Sequence, residues 1–396
     1  MRLSSWLGLA AAATPLVAAS VAGSREVVRA DLARRRGITT RDGMPVPEPS
    51  IGLGVAAAVD ALLTAPMPLL SSLGSPEHYA EASAELDSAV RYYGDAGWLD
   101  APRLRHRAPN APGDVQIERL SPGMEVARFD SEWRPEPGEP GAERWLSLGA
   151  NERVPVRLLR HPGGPRPWLI AVHGQGMGRP SDVGMLRAHH LHRQLGINVA
   201  LPVLPLHGPR SCGFSPSRQF ASNVFAINNV LGLTQAVWDI RRLIRWLRDE
   251  QQAPAVGLLG VSLGAYAINL LSTVEGDLAC LLAVVPTSDL AASMREAVPA
   301  TAAKQRLHRK VHDYRSELVH RVVSPLASPC LVPHDRRHIV AGQVDRIAPP
   351  RGAVELWRHW DEPSIAWCPR GHVTAWRGAA YDSHIISVLR TCGLQG

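Results

Sequence analysis

The pentapeptide Gly260-Val261-Ser262-Leu263-Gly264 sets a serine between two glycines, each two residues away. It follows an apolar run at 256–261 that reads as a strand, and it opens a stretch at 263–274 that reads as a helix. A strand-to-helix turn this tight projects the serine hydroxyl beyond the sheet. It also crowds the flanking backbone, so only very small residues fit two positions to either side. The first turn of the helix aims its amides and positive dipole end at the same point. A serine hydroxyl is a weak nucleophile until a base takes its proton, so a histidine oriented by a carboxylate is required. Downstream stand Asp345, in the string 342–350 (GQVDRIAPP), and His372, in Gly371-His372-Val373. All three residues fall in loops at the carboxyl ends of predicted strands, where open parallel sheets collect their active sites. Asp289, in the loop after the run 279–285, is the alternative acid; Asp335 suits the role less because it precedes its strand.

Attack on a carbonyl creates an oxyanion that needs preorganised N–H donors. The backbone amide of Leu263 is one candidate. The second is expected from the loop after the run 168–172, which reads His173-Gly174-Gln175-Gly176, with Gln175 favoured and Gly174 next. Glycines let that loop turn its amides inward.

These residues resemble the α/β-hydrolase superfamily, in the manner of its serine esterases and lipases. The resemblance is carried by the HG loop at 173–176, the nucleophile elbow at 260–264, the Asp345 loop and Gly371-His372, and covers about residues 150–396. It implies an α/β fold with a mostly parallel eight-stranded sheet, helices on both faces, and a small helical cap inserted after the sixth strand, at about 290–325. It also implies a catalytic triad of Ser262, Asp345 and His372, an oxyanion hole, an acyl-serine intermediate, a small-molecule acyl substrate, and neither metal nor organic cofactor. The loop here reads HGQG rather than the HGGG of the hormone-sensitive-lipase branch. Carboxylic ester hydrolysis is the reading favoured. A serine peptidase, an acyltransferase and a non-catalytic scaffold on the same fold remain the alternatives.

The elements that must position these residues alternate. Strands are predicted at 153–160, 168–172, 197–203, 256–261, 279–285, 337–341 and 364–367. Helices are predicted at 183–195, in a long stretch ending near Arg248, at 263–274 and at 354–360. Short apolar strands alternating with helices imply parallel pairing through right-handed crossovers. The segment 292–323 breaks the alternation, is helical, and carries both lysines of the chain. Before this domain, 134–141 (RPEPGEPG) marks a boundary, and 101–150 reads as an irregular linker with the first strands.

Residues 1–100 read as a helical region outside the superfamily pattern, a platform or a lid. A helix is capped by Ser75 with Pro76 at its first position and runs to about Tyr93. An apolar block at 51–73 is expected to break at Pro66 and Pro68, and an alanine-rich run at 7–21 to break at Pro15. That first run also has the features of a weak secretory signal, so export, or membrane-surface contact through the apolar helices, is the alternative to a cytoplasmic location. It is too short to span a bilayer comfortably.

Charge argues less than it first suggests. The net charge is +7, yet only two of the 43 basic residues are lysine, and alanine, glycine and proline are frequent too. That pattern reflects a GC-rich coding sequence, and no long basic run, zinc-knuckle spacing or RNP-like aromatic string supports nucleic acid. Five cysteines, at 212, 280, 330, 368 and 392, form no disulfide framework and no metal-ligand spacing along the chain, which favours a reducing compartment. Cys280 and Cys368 sit in apolar runs, as small core residues do. His207 and Arg210, in the loop after 197–203, are candidates for the site mouth, Arg210 to meet an acidic substrate group. His189, His190 and His192 cluster on a predicted helix without a carboxylate or thiol partner at suitable spacing, so no metal site is expected there.

Overall fold

The computed structural model describes residues 3–65, 75–213, 225–299 and 301–396. Its main sheet has nine strands: β1 (Gln116–Ser121), β2 (Met124–Asp130), β3 (Arg153–Leu159), β4 (Trp168–Val172), β5 (Asn198–Pro202), β6 (Val256–Val261), β7 (Cys280–Val284), β8 (Arg337–Gly342) and β9 (Ser364–Cys368). Across the sheet they lie in the order β9-β8-β7-β6-β4-β5-β3-β2-β1. Strands β4 to β9 pair in parallel. Strands β3, β2 and β1 continue the sheet antiparallel to an edge.

The count exceeds the implied eight by one. Every residue of β1 is exposed, so its sequence QIERLS carries no apolar alternation to announce a strand. The central strands are the opposite case. β4, β5, β6 and β7 are buried at every position, because helices cover both faces. Helices Ala226–Asp249 and Leu263–Leu271 close one face over Trp168, Ile170 and Leu258. Helices Ala188–Leu195 and Ala379–Thr391 close the other over Leu169, Leu259 and Val340. From β4 the chain crosses to β5 on one side, while from β6 it crosses to β7 on the other. The loops after β4 and β6 therefore diverge and leave a crevice at their carboxyl ends.

The helix expected over 183–195 is two short helices, Asp182–Met185 and Ala188–Leu195. They part at Arg187, which adopts φ +58° and is clamped by Asp382 at 2.9 Å. The insertion between β7 and β8 is helical as expected, with segments Leu290–Glu296, Ala302–Val311 and Tyr314–Arg321.

The N-terminal helices divide between two tasks. Helix α1 (Leu3–Arg35) runs on through Pro15, where a break was expected; alanine, the strongest helix former, dominates both sides of that proline. Helix α2 (Ile51–Thr64) is capped by Ser50, whose Oγ accepts from the Leu53 amide. The two helices touch backbone to backbone at Gly23 and Gly54, where a Cβ on Gly23 would collide with the Gly54 carbonyl. The expected breaks at Pro66 and Pro68 lie outside the described residues. Helix α3 (Pro76–Asp95) is capped by Ser75 as expected and lies on the insertion, where Arg315 bonds Ser83 O at 3.2 Å and Asp87 at 2.7 Å. Helices α1 and α2 instead share a small core with Val344, beside Asp345. Their outward residues include Val17, Val28, Ile51 and Val55, all exposed. Among the described residues no helix is long and apolar enough to cross a membrane.

Candidate functional site

Ser262 stands between the last residue of β6 and the helix Leu263–Leu271, with φ +56° and ψ −115°. That conformation is strained for any residue with a side chain, by about 1–3 kcal/mol, and persists only where the surroundings enforce it. They do so here. A Cβ on Gly260 would collide with the Gly264 carbonyl, and one on Gly264 would collide with the carbonyls of Val172 and His173. The Ser262 amide is fixed by Val284 O at 2.9 Å. The two glycines thus allow the turn to pass under the loop that follows β4.

His372 Nε2 lies 3.0 Å from Ser262 Oγ, and His372 Nδ1 lies 2.7 Å from Asp345 Oδ2. A carboxylate only accepts, so Nδ1 carries the proton and Nε2 presents its lone pair to the serine hydroxyl. Asp345 is itself fixed, because its Oδ1 accepts from the amides of Ile347 at 2.9 Å and Ala348 at 2.7 Å. Asp345 and His372 are buried and Ser262 is half-buried. Burial alone would push the imidazole down. The Asp345 charge and hydrogen bond, helped by the charge of Asp60, outweigh it and hold His372 above its ordinary value.

Asp60 was not anticipated from the sequence. It comes from α2, is fully buried, and its Oδ2 accepts from the backbone amides of His372 at 2.6 Å and Arg346 at 3.1 Å. It thereby joins the two loops that carry the histidine and the acid. Gly371 is required beside it, since a Cβ there would stand 2.6 Å from the Asp60 carboxylate. Burial pushes the Asp60 carboxyl up, against the two amides that favour its ionised form. The available signal was composition: Asp60 is the only charged residue between Glu48 and Glu77.

The other sequence-predicted residues divide. Asp289, the alternative acid, instead caps helix Leu290–Glu296 by accepting from the Ala292 amide at 2.8 Å, and the imidazole is paired with Asp345, the acid expected first. Arg210 does not line a site mouth. It is buried under the loop after β5, donating to Asp239 at 2.9 Å, Val203 O at 2.8 Å and Asn151 O at 2.6 Å. That corrects the expectation of an acidic-substrate contact, because an arginine with those three partners is committed to holding its loop. His207 is fully buried, its Nδ1 2.8 Å from Pro205 O, so it is not exposed to meet a substrate as expected. Gly174 does come against Ser262, but its amide is directed at Met177 Sδ, 3.3 Å away. Gln175 follows it on the same loop, and Leu263 opens the helix after the serine. His192 stacks on His161, with ring centroids 3.8 Å apart, and its Nδ1 lies 2.7 Å from Ile197 O.

No protein-family model matches the chain. Two Mycobacterium tuberculosis proteins, Uncharacterized protein MT2702 of strain CDC 1551 / Oshkosh and Uncharacterized protein Rv2627c of strain ATCC 25618 / H37Rv, are each 36% identical over 358 residues. The match covers 89% of this chain and 86% of each relative. Among solved structures, the acetyl xylan esterase from Paenibacillus sp. R4 matches with a TM-score of 0.50 at 13% identity, over 76% of this chain and 93% of that one. A likeness at that identity concerns the fold, which is that of the α/β-hydrolases.

Proposed function

Because the chain belongs to one family with the mycobacterial proteins MT2702 and Rv2627c and is built on the α/β-hydrolase fold, we propose that it is a serine hydrolase. Its substrate is a carboxylic ester or a related acyl compound. The observation that carries this reading is the hydrogen-bonded chain Ser262–His372–Asp345, with the serine held in a strained strand-to-helix turn. A serine that merely capped a helix would need neither the strain nor the imidazole.

In this reading Ser262 Oγ attacks the acyl carbon while His372 Nε2 takes its proton. The oxyanion is held by the Leu263 amide and by the loop after β4. Gln175 is preferred there, because the Gly174 amide is directed at a sulfur. The tetrahedral adduct collapses as the imidazolium returns its proton to the departing alcohol, leaving an acyl-serine. Water then attacks the acyl carbon, giving its proton to His372, and the carboxylic acid leaves as Ser262 recovers its proton. Asp345 fixes the tautomer and stabilises the imidazolium, and Asp60 holds the histidine loop against the acid loop.

The test is turnover of a short p-nitrophenyl ester by the wild-type chain and by Ser262→Ala. Turnover is expected in the first and loss to near background in the second, with an unchanged circular dichroism spectrum. Full activity in the variant would reject the assignment.

A further inference from the structure

At the amino ends of the strands, on the edge of the sheet opposite Ser262, three soft or borderline ligand groups converge from separate parts of the chain. Cys280 opens β7, His338 is the second residue of β8, and Cys392 follows helix Ala379–Thr391. The two strands are neighbours, with His338 in register with Leu282, so both side chains point to the face which that helix covers. Cys392 Sγ lies 3.4 Å from His338 Nε2, and the two sulfurs and the nitrogen all lie within 4.8 Å of one another. None of the three pairwise relations among Cys280, His338 and Cys392 is local in sequence, which is why chain spacing gave no hint of them.

The geometry points to a binding site for a zinc-class divalent ion held by Cys280 Sγ, His338 Nε2 and Cys392 Sγ. A tetrahedral zinc ion holds thiolate sulfur at about 2.3 Å and imidazole nitrogen at about 2.0–2.1 Å, which sets ligand-to-ligand edges near 3.5–3.8 Å. The spacing found is close enough for side-chain rotation to supply the remainder. Two thiols and one imidazole also form a donor set that favours zinc over calcium or magnesium, which take oxygen. His338 is buried, and its Nδ1 has no partner among the described residues. The ring's polar contact is therefore the one on the thiol side. Cys392 also borders a cleft of about 740 Å³ whose lining includes Asp335 and Thr391, so a fourth position is open to water or to a carboxylate.

Binding replaces two S–H protons with two metal–sulfur bonds and releases both protons to solvent; nothing is oxidised or reduced. The ion ties the segment after the last helix to β7 and β8. It stands at the far edge of the sheet from Ser262, so it acts on the stability of the fold, not on the acyl chemistry.

The test is a cobalt(II) titration of the full-length, metal-stripped protein under anaerobic reducing conditions. The expected result is one equivalent bound, with thiolate-to-cobalt charge-transfer bands that zinc(II) bleaches, and a higher Tm with zinc than without. The bands should vanish in Cys392→Ser and in His338→Gln and persist in Cys212→Ser, while Ser262-dependent ester turnover is unchanged in all three. Two independent ligand variants keep the test decisive if one fails to fold. A reduced wild-type protein that gives no charge-transfer band overturns the proposal, whether or not a hydroperoxide then joins Cys280 to Cys392. So does a band that survives intact in a folded Cys392→Ser.

Discussion

Two corners of the carboxyl rim each bury histidine, and they treat it in opposite ways. His372 and His173 are 8% and 3% exposed, so solvent does not distinguish them. His372 faces Asp345 and Asp60, and their charges lift its affinity for a proton in spite of burial. His173 has burial as the dominant influence and is held below its ordinary value. Its Nδ1 lies 2.8 Å from Gly174 O, while its Nε2 accepts from the Leu204 amide at 3.1 Å, which defines the neutral Nδ1–H tautomer. One imidazole is therefore poised to exchange a proton, and the other is a neutral strut tying the loop after β4 to the loop after β5. Burial does not decide which histidine is reactive; the carboxylates around it do.

The contrast can be broken by truncating each ring. His372→Ala is expected to lower ester turnover by about a million-fold, as losing the base of a serine nucleophile does. His173→Ala strands the Leu204 amide and the Gly174 carbonyl. It is expected to cost about 1–3 kcal/mol in urea unfolding for each group left buried and unpaired, with a far smaller fall in rate. Comparable rate losses in the two variants would erase the distinction.

A smaller effect sharpens it. In the proposed mechanism neutral His372 is the base, so kcat/KM should rise with pH through a midpoint above the ordinary histidine value. Stability runs the other way. A histidine whose folded pKa is raised contributes stability that is fully present below the unfolded value and is lost as pH rises through the folded one. On that mechanism the base is gained over the window in which the stabilisation of the imidazolium–Asp345 pair is lost. Asp60→Asn keeps an oxygen to accept from His372 and Arg346 but removes a charge that raises the imidazole. The acid limb of the kcat/KM profile is expected to move to lower pH, with kcat on the plateau little changed. An unmoved limb would leave Asp60 as a structural tie alone.

What could be read from the sequence follows from how local its cause is. Ser262, Asp345 and His372 each sit in a short string at the end of an apolar strand, and the glycines at 260 and 264 state their steric reason within five residues. The parallel centre was legible because β4, β6 and β7 are continuous apolar runs. Asp60 was not, because its role exists only once α2 lies against a loop 286 residues away. Arg210 was misread for a similar reason: Asp239, which captures it, comes from a helix, and no local rule pairs the two. The antiparallel edge strand β1 is exposed throughout and offered no pattern, and Cys280, His338 and Cys392 meet only through strand register and the return of the last helix.

The most direct measurement is mass-spectrometric mapping of a fluorophosphonate adduct on the native chain, run beside His372→Ala. The expected result is a single adduct on the peptide carrying Ser262, formed at a rate that collapses when the imidazole is removed. An adduct on another residue, or labelling of Ser262 that proceeds equally well without His372, would contradict the reading.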